Sequence, residues 1–254
     1  MELSLEMMSL LFVVAVLSGF IDAIAGGGGL VTIPALLATG MPPALALGTN
    51  KLQSTGGSFS ASLYFLRKGA VKLSDVWLII LMVFLGASLG TILIQQIDAS
   101  LLKGVLPFLI IAIGLYFLFS PKLGEKDSKQ RLSFAVFALI AGFSIGFYDG
   151  FFGPGTGSFL SLACVLLLGF NLAKATAHAK VFNLTSNVAS LIFFLVGGHV
   201  LWSVGILMMI GQFIGANLGA KMVLTKGKTL IRPMVVLMSF IMSAKMLYDQ
   251  GWFG

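Results

Sequence analysis

Long apolar runs separated by short polar breaks recur along the whole chain. They predict helical segments over about 7–25, 30–41, 44–66, 73–95, 101–119, 132–152, 157–169, 172–196, 200–223 and 230–249. About 20 apolar residues are needed to cross a hydrocarbon core of about 30 Å. Most of these runs are long enough; the second and seventh are too short to span as straight helices. Each short run follows a glycine-rich break, Gly26-Gly27-Gly28-Gly29 in one case and Gly153-Pro154-Gly155-Thr156-Gly157 in the other. Trp77 and Trp202 stand near the starts of the fourth and ninth runs, where amphipathic rings anchor a helix at the membrane–water interface.

The pattern repeats. Gly19-Phe20-Ile21-Asp22 matches Gly146-Phe147-Tyr148-Asp149 at an offset of 149 − 22 = 127, which becomes 129 beyond the seventh run. At that second offset Gly40 meets Gly169, Lys51 meets Lys180, Ser58 meets Asn187, and GASLG (86–90) meets GANLG (215–219). The expected organisation is a first transmembrane repeat over 1–120, a basic linker over 121–131 (PKLGEKDSKQR) and a second repeat over 132–254.

Composition excludes a water-soluble domain. Of 254 residues, 58% are hydrophobic and 10% charged, against about 45–50% and about 25% in soluble proteins, and the mean hydropathy is +1.03. The net charge of +7 sits in the breaks between apolar runs, so it reads as membrane topology rather than as a nucleic-acid-binding surface. Arg67, Lys68 and Lys72 form one basic cluster, Lys122, Lys126, Lys129 and Arg131 a second, and Lys221, Lys226, Lys228 and Arg232 a third. Five crossings per half put all three on the cytoplasmic side. The expected fold is therefore all-helical and polytopic, two inverted repeats of about five segments each (8–10 transmembrane helices) with both termini outside. Met1 to Glu6 carry acids and no base, so the first run is expected to be retained rather than cleaved.

Candidate chemistry concentrates at the breaks. A run of about 14 residues rises about 21 Å, some 9 Å short of the core, so each break must be recessed. A helix starting there presents unpaired N–H groups and a positive dipole end, and glycines let an anion approach that backbone. Short, glycine-interrupted segments at matching places in two inverted halves point to a transporter site. The candidate anion ligands are Gly26, Gly27, Gly28, Gly29, Gly153, Gly155 and Gly157 with the hydroxyls of Thr32, Thr156 and Ser158. Lys51 and Lys180 each fall eight or nine residues into a helix, about 12–14 Å deep, and ionisable groups at that depth are costly and functional. Asn50, Ser54 and Ser58 accompany Lys51; Asn183 and Asn187 accompany Lys180. Asp22 and Asp149, the acids inside apolar runs, are candidates for coupling or charge balance, either as partners of the lysines or as proton carriers. Tyr148 and Gln53 are weaker candidates, and His178 reads as a packing residue. Cys164 stands alone, so neither a disulfide nor a thiolate metal site is expected. No catalytic constellation, cofactor motif or metal cluster is legible.

The runs Asp22-Ala-Ile-Ala-Gly-Gly-Gly-Gly, Thr49-Asn-Lys-Leu-Gln, Gly146-Phe-Tyr-Asp-Gly-Phe-Phe-Gly-Pro-Gly-Thr-Gly-Ser-Phe and Ala177-His-Ala-Lys resemble the TauE/SafE family of bacterial membrane transporters, on its YfcA-like side. The resemblance covers about 7–249. It implies a multi-pass permease of the bacterial inner membrane, with sulfite, sulfoacetate or another organosulfonate as substrate. The expected function is export of a small anion by alternating access. The expected partners are that substrate and the lipid bilayer, with a homo-oligomer compatible and nucleic acid excluded. Other readings are an anion channel, which calls for a continuous polar stripe, and a membrane subunit that hands sulfur compounds to a partner protein.

Overall fold

The computed structural model describes residues 3–98, 108, 111 and 126–225. Apart from positions 108 and 111, the runs expected over 101–119 and 230–249 lie outside the described residues, as do Lys122, Lys226, Lys228 and Arg232. The described chain is helical and contains no strand. Its helices are α1 (Leu5–Ala25), α2 (Gly29–Leu37), α3 (Pro43–Arg67), α4 (Leu73–Ile94), α5 (Phe134–Phe151), α6 (Thr156–Leu168), α7 (Leu172–Val196) and α8 (Trp202–Thr225).

Local signals set the ends. Ser4, Ser133 and Asn171 cap α1, α5 and α7, accepting from the backbone N–H groups of Met7, Val136 and Lys174 at 3.2, 3.3 and 3.0 Å. Pro43 opens α3, and Gly26 and Gly169, both left-handed, close α1 and α6. The second run was expected to continue to 41, but α2 stops at Leu37. Left-handed Gly40 and the prolines at 42 and 43 turn the chain into α3 instead. Within α5, Ala138–Gly142 forms a π-helical turn.

Polarity is arranged inside out relative to a soluble protein. Helices α1, α4, α5, α7 and α8 are long and apolar enough to cross a membrane. Leu10, Val13 and Leu17 form an exposed row on α1, Leu81, Leu85 and Leu89 one on α4, and Ile206, Ile210 and Phe213 one on α8. Helix α3 is as long as α7 but carries a polar face turned inward: Asn50, Lys51, Gln53, Ser58, Ser60 and Ser62 are all buried.

The two halves interlock. Helices α3 and α7 cross at the centre, α8 packs on α1 and α3, and α4 packs on α5 and α7. The fourth helix of each half thus lies against the first and third helices of the other. The glycines of the two shared motifs make this possible. A Cβ on Gly86 or Gly90 would overlap the Phe143 or Phe147 carbonyl of α5, and one on Gly215 would overlap the Val16 carbonyl of α1. Without a hydrophobic force between helices in lipid, such backbone approach supplies the dispersion contacts that hold them.

Gly86→Val therefore forces α4 away from α5 and is expected to cost about 1–3 kcal/mol. Gly142→Ala meets its nearest neighbour, an Ile79 methyl, at an ordinary 3.5 Å, and is expected to be neutral or to stabilise by up to about 1 kcal/mol. Thermal unfolding of the detergent-purified variants checks both. Equal melting points would show that the crossing does not depend on the glycines.

Candidate functional site

The buried carboxylates and lysines among the described residues are Asp22, Lys51, Asp149 and Lys180. They meet where the two breaks meet: Gly26, at the end of α1, lies backbone to backbone against Gly157, at the start of α6. Each lysine pairs with the acid of the other half. Lys51 Nζ lies 3.0 Å from Asp149 Oδ1, and Lys180 Nζ lies 2.8 Å from Asp22 Oδ2. A lysine and a carboxylate this deep are tolerable only when paired and hydrogen-bonded.

The pairs differ in their surroundings. Lys51 also donates to the Asp149 carbonyl at 2.6 Å and to Asn187 Oδ1 at 3.4 Å, so its three donors each have an acceptor. Asp22 Oδ2 accepts from Lys180, and Oδ1 accepts from the Gly28 N–H at 3.2 Å. Asp149 Oδ1 accepts from Lys51 and from the Thr156 hydroxyl at 2.8 Å; Oδ2, fully buried, accepts from no described residue. The breaks thus already hold anions, and both are the chain's own carboxylates. Asp22 reaches the N-terminus of α2, and Asp149 reaches the first residue of α6.

Between the pairs lies a cavity of about 20 Å³, room for about one water. Its lining contains Gly26, Gly29, Asn50, Lys51, Ser54, Gly153, Gly155, Thr156, Gly157, Asn183 and Asn187 together with Asp22 and Asp149. Gly27, Gly28, Thr32, Ser58, Ser158 and Lys180, also candidates from the sequence, do not line it. Lys180 stands one contact behind, through Asp22. The hydroxyls expected to face a ligand are engaged within the chain. Thr32 lies 2.7 Å from Asn50 Oδ1, Ser158 donates to the Ala25 carbonyl, and Ser58 donates to the Ser54 carbonyl at 2.7 Å. Ser54 and Asn183 line the cavity with no side-chain hydrogen bond to another described residue, so their polar groups are available.

The weaker candidates are accounted for as well. Tyr148 donates to the Pro154 carbonyl at 2.6 Å and braces the second break, and Gln53 donates to Asn50 at 2.9 Å. His178 Nδ1 lies 2.8 Å from the Lys174 carbonyl, with its ring against Phe170, as a packing residue. Sequence reading missed Ser18, whose hydroxyl donates to the Gly28 carbonyl at 3.0 Å and ties α1 to the first break. Its position one helical turn before Asp22 was the available signal.

The chain matches the family model described as "Sulfite exporter TauE/SafE" over residues 11–246. A Haemophilus influenzae protein named "Probable membrane transporter protein" is 68% identical over 253 residues, covering 100% of this chain and 99% of the relative. The Escherichia coli K12 "Probable membrane transporter protein YfcA" is 58% identical over 243 residues, 96% of this chain and 90% of the relative. A Sinorhizobium relative, "Probable membrane transporter protein ORF9", is 48% identical over 248 residues, 98% of this chain and 95% of its own. No solved structure matches the chain.

The crossed pairing is testable by charge removal. Lys51→Met strands the Asp149 carboxylate and is expected to cost about 3–5 kcal/mol. Adding Asp149→Leu should restore most of the loss, whereas adding Asp22→Leu should deepen it by stranding Lys180 as well. Melting temperatures of the two double variants decide. Equal rescue by both would mean that the pairs are not specific.

Proposed function

This chain belongs to the TauE/SafE family of membrane transporters, and on that premise we propose that it exports a small anion, sulfite or an organosulfonate, by alternating access. The observation that carries this reading is the pair of breaks occupied by internal carboxylates. A sulfonate carries the same charge and the same kind of acceptor oxygens. It replaces a carboxylate at a lysine, with the Asn183 and Ser54 side chains and the amides of the breaks around it. A cavity of about 20 Å³ is too small for such an ion. Loading therefore requires a carboxylate to withdraw and the helices at the breaks to part.

The ion pairs, the cavity and the meeting point of Gly26 with Gly157 all bridge the halves. Relative movement of the repeats 1–120 and 132–254, inverted in the membrane, then opens the site to one side at a time. The interlocked α4 and α8 act as the rails. Among the described residues the polar groups of the breaks gather around this small cavity, whereas a channel calls for a continuous polar stripe. An inside-negative potential is worth about 2.3 kcal/mol per charge per 100 mV, which favours the outward movement of an uncompensated anion.

Reconstitution into liposomes with labelled sulfite, methanesulfonate and isethionate tests the reading. Saturable counterflow is expected, and unsaturated conductance would replace the carrier by a channel. Asn183→Ala should leave the ligand-free melting point unchanged and weaken sulfonate binding by about 1.5–3 kcal/mol, or roughly 10- to 150-fold, the value of a hydrogen bond to a charged group. Unchanged affinity would remove Asn183 from the site.

A further inference from the structure

We infer that Asp149 takes up a proton when the anion binds, so that anion and proton cross together; the inference rests on the anion site proposed above. The four side chains balance electrically, with two lysines against two carboxylates. A monoanion added to it would bring one uncompensated charge into a buried cavity, which a low-dielectric interior strongly opposes. Protonating one carboxylate restores the balance.

The geometry distinguishes the two acids. Both oxygens of Asp22 accept hydrogen bonds, so protonating it costs either the Lys180 contact or the Gly28 contact. Asp149 Oδ2 accepts from no described residue, is fully buried, and belongs to a residue that lines the cavity and is 2% exposed. A proton can join Oδ2 without breaking any bond. Oδ1 keeps the Thr156 hydroxyl, so the neutral carboxyl stays at the break while the anion takes its place at Lys51.

The other groups around Asp149 do not substitute for it. Lys51 on α3 is its partner, and Asp22 on α1 and Lys180 on α7 are bound to each other. On its own helix α5, the Tyr148 phenol is engaged with the Pro154 carbonyl. Helix α4 contributes the neutral Thr91, which donates to the Gly150 carbonyl, and α6 contributes the neutral Thr156. His178 on α7 is turned to Lys174 and Phe170.

The proton comes from water on the loading side, forming the Oδ2–H bond. The bond breaks on the releasing side, where the proton returns to water. The crossing is then electroneutral for a monoanion. The membrane potential then no longer favours outward movement, and the direction is set by the substrate and proton gradients together.

Methanesulfonate, a strong acid's anion, tests this because it brings no proton of its own. Calorimetry on the purified full-length protein, in two buffers of different ionisation enthalpy, should show uptake of about one proton per bound anion. The apparent Kd should rise about tenfold per pH unit wherever binding one anion takes up one proton. Infrared difference spectra should show a protonated-carboxyl band on binding, shifted by Asp149→Glu and not by Asp22→Glu. Binding without proton uptake overturns the inference and leaves the anion site standing. A band that follows Asp22 instead also overturns it. Absence of methanesulfonate binding at any pH overturns both.

Discussion

Four buried charges that must sum to zero govern this structure. Each lysine lies deep in a helix, and each acid stands beside a helix break. All four are buried away from bulk water. The pairs Lys51–Asp149 and Lys180–Asp22 satisfy that demand only if α3 reaches α5 and α7 reaches α1. Charge neutrality therefore ties one half of the chain to the other, and that tie places the breaks against each other. The same constraint shapes function, because anything charged that enters must displace, or be balanced by, something already there.

The breaks make such exchange feasible. A continuous helix has no free N–H group at membrane depth; interrupting it exposes some, and lipid cannot satisfy them. Here Asp22 accepts from the Gly28 N–H, and the Thr156, Ser18 and Tyr148 hydroxyls hold the surrounding carbonyls. The result is a polar knot about one water wide inside an apolar shell. At the centre of that knot the acceptors are the chain's own carboxylates.

Interlocking through α4 and α8 gives that knot a frame. Glycine-mediated backbone contact holds α4 to α5 and α8 to α1 at close range, while the outer faces offer lipid apolar side chains. The stiffness lies at the periphery and the polar, exchangeable contacts at the centre.

Much of this was legible in the chain itself. Apolar run length identified the membrane helices, because the bilayer imposes a minimum length that composition reveals directly. The glycine-rich breaks, the two lysines and the two acids stood out because ionisable and flexible residues are rare where lipid surrounds the chain. The doubled pattern made each of them appear twice. The tertiary structure decided which charge meets which. Helical spacing places Asn187 on the Lys180 face, yet its amide oxygen accepts from Lys51. Thr32 and Ser158, spaced as ligands, serve their own backbone and Asn50. The two acids, equivalent in the repeat, differ by one unpaired oxygen. Sequence periodicity records which face of a helix a residue occupies. Partner choice depends on how helices more than 90 positions apart are set against one another, and that is determined by packing across the whole bundle.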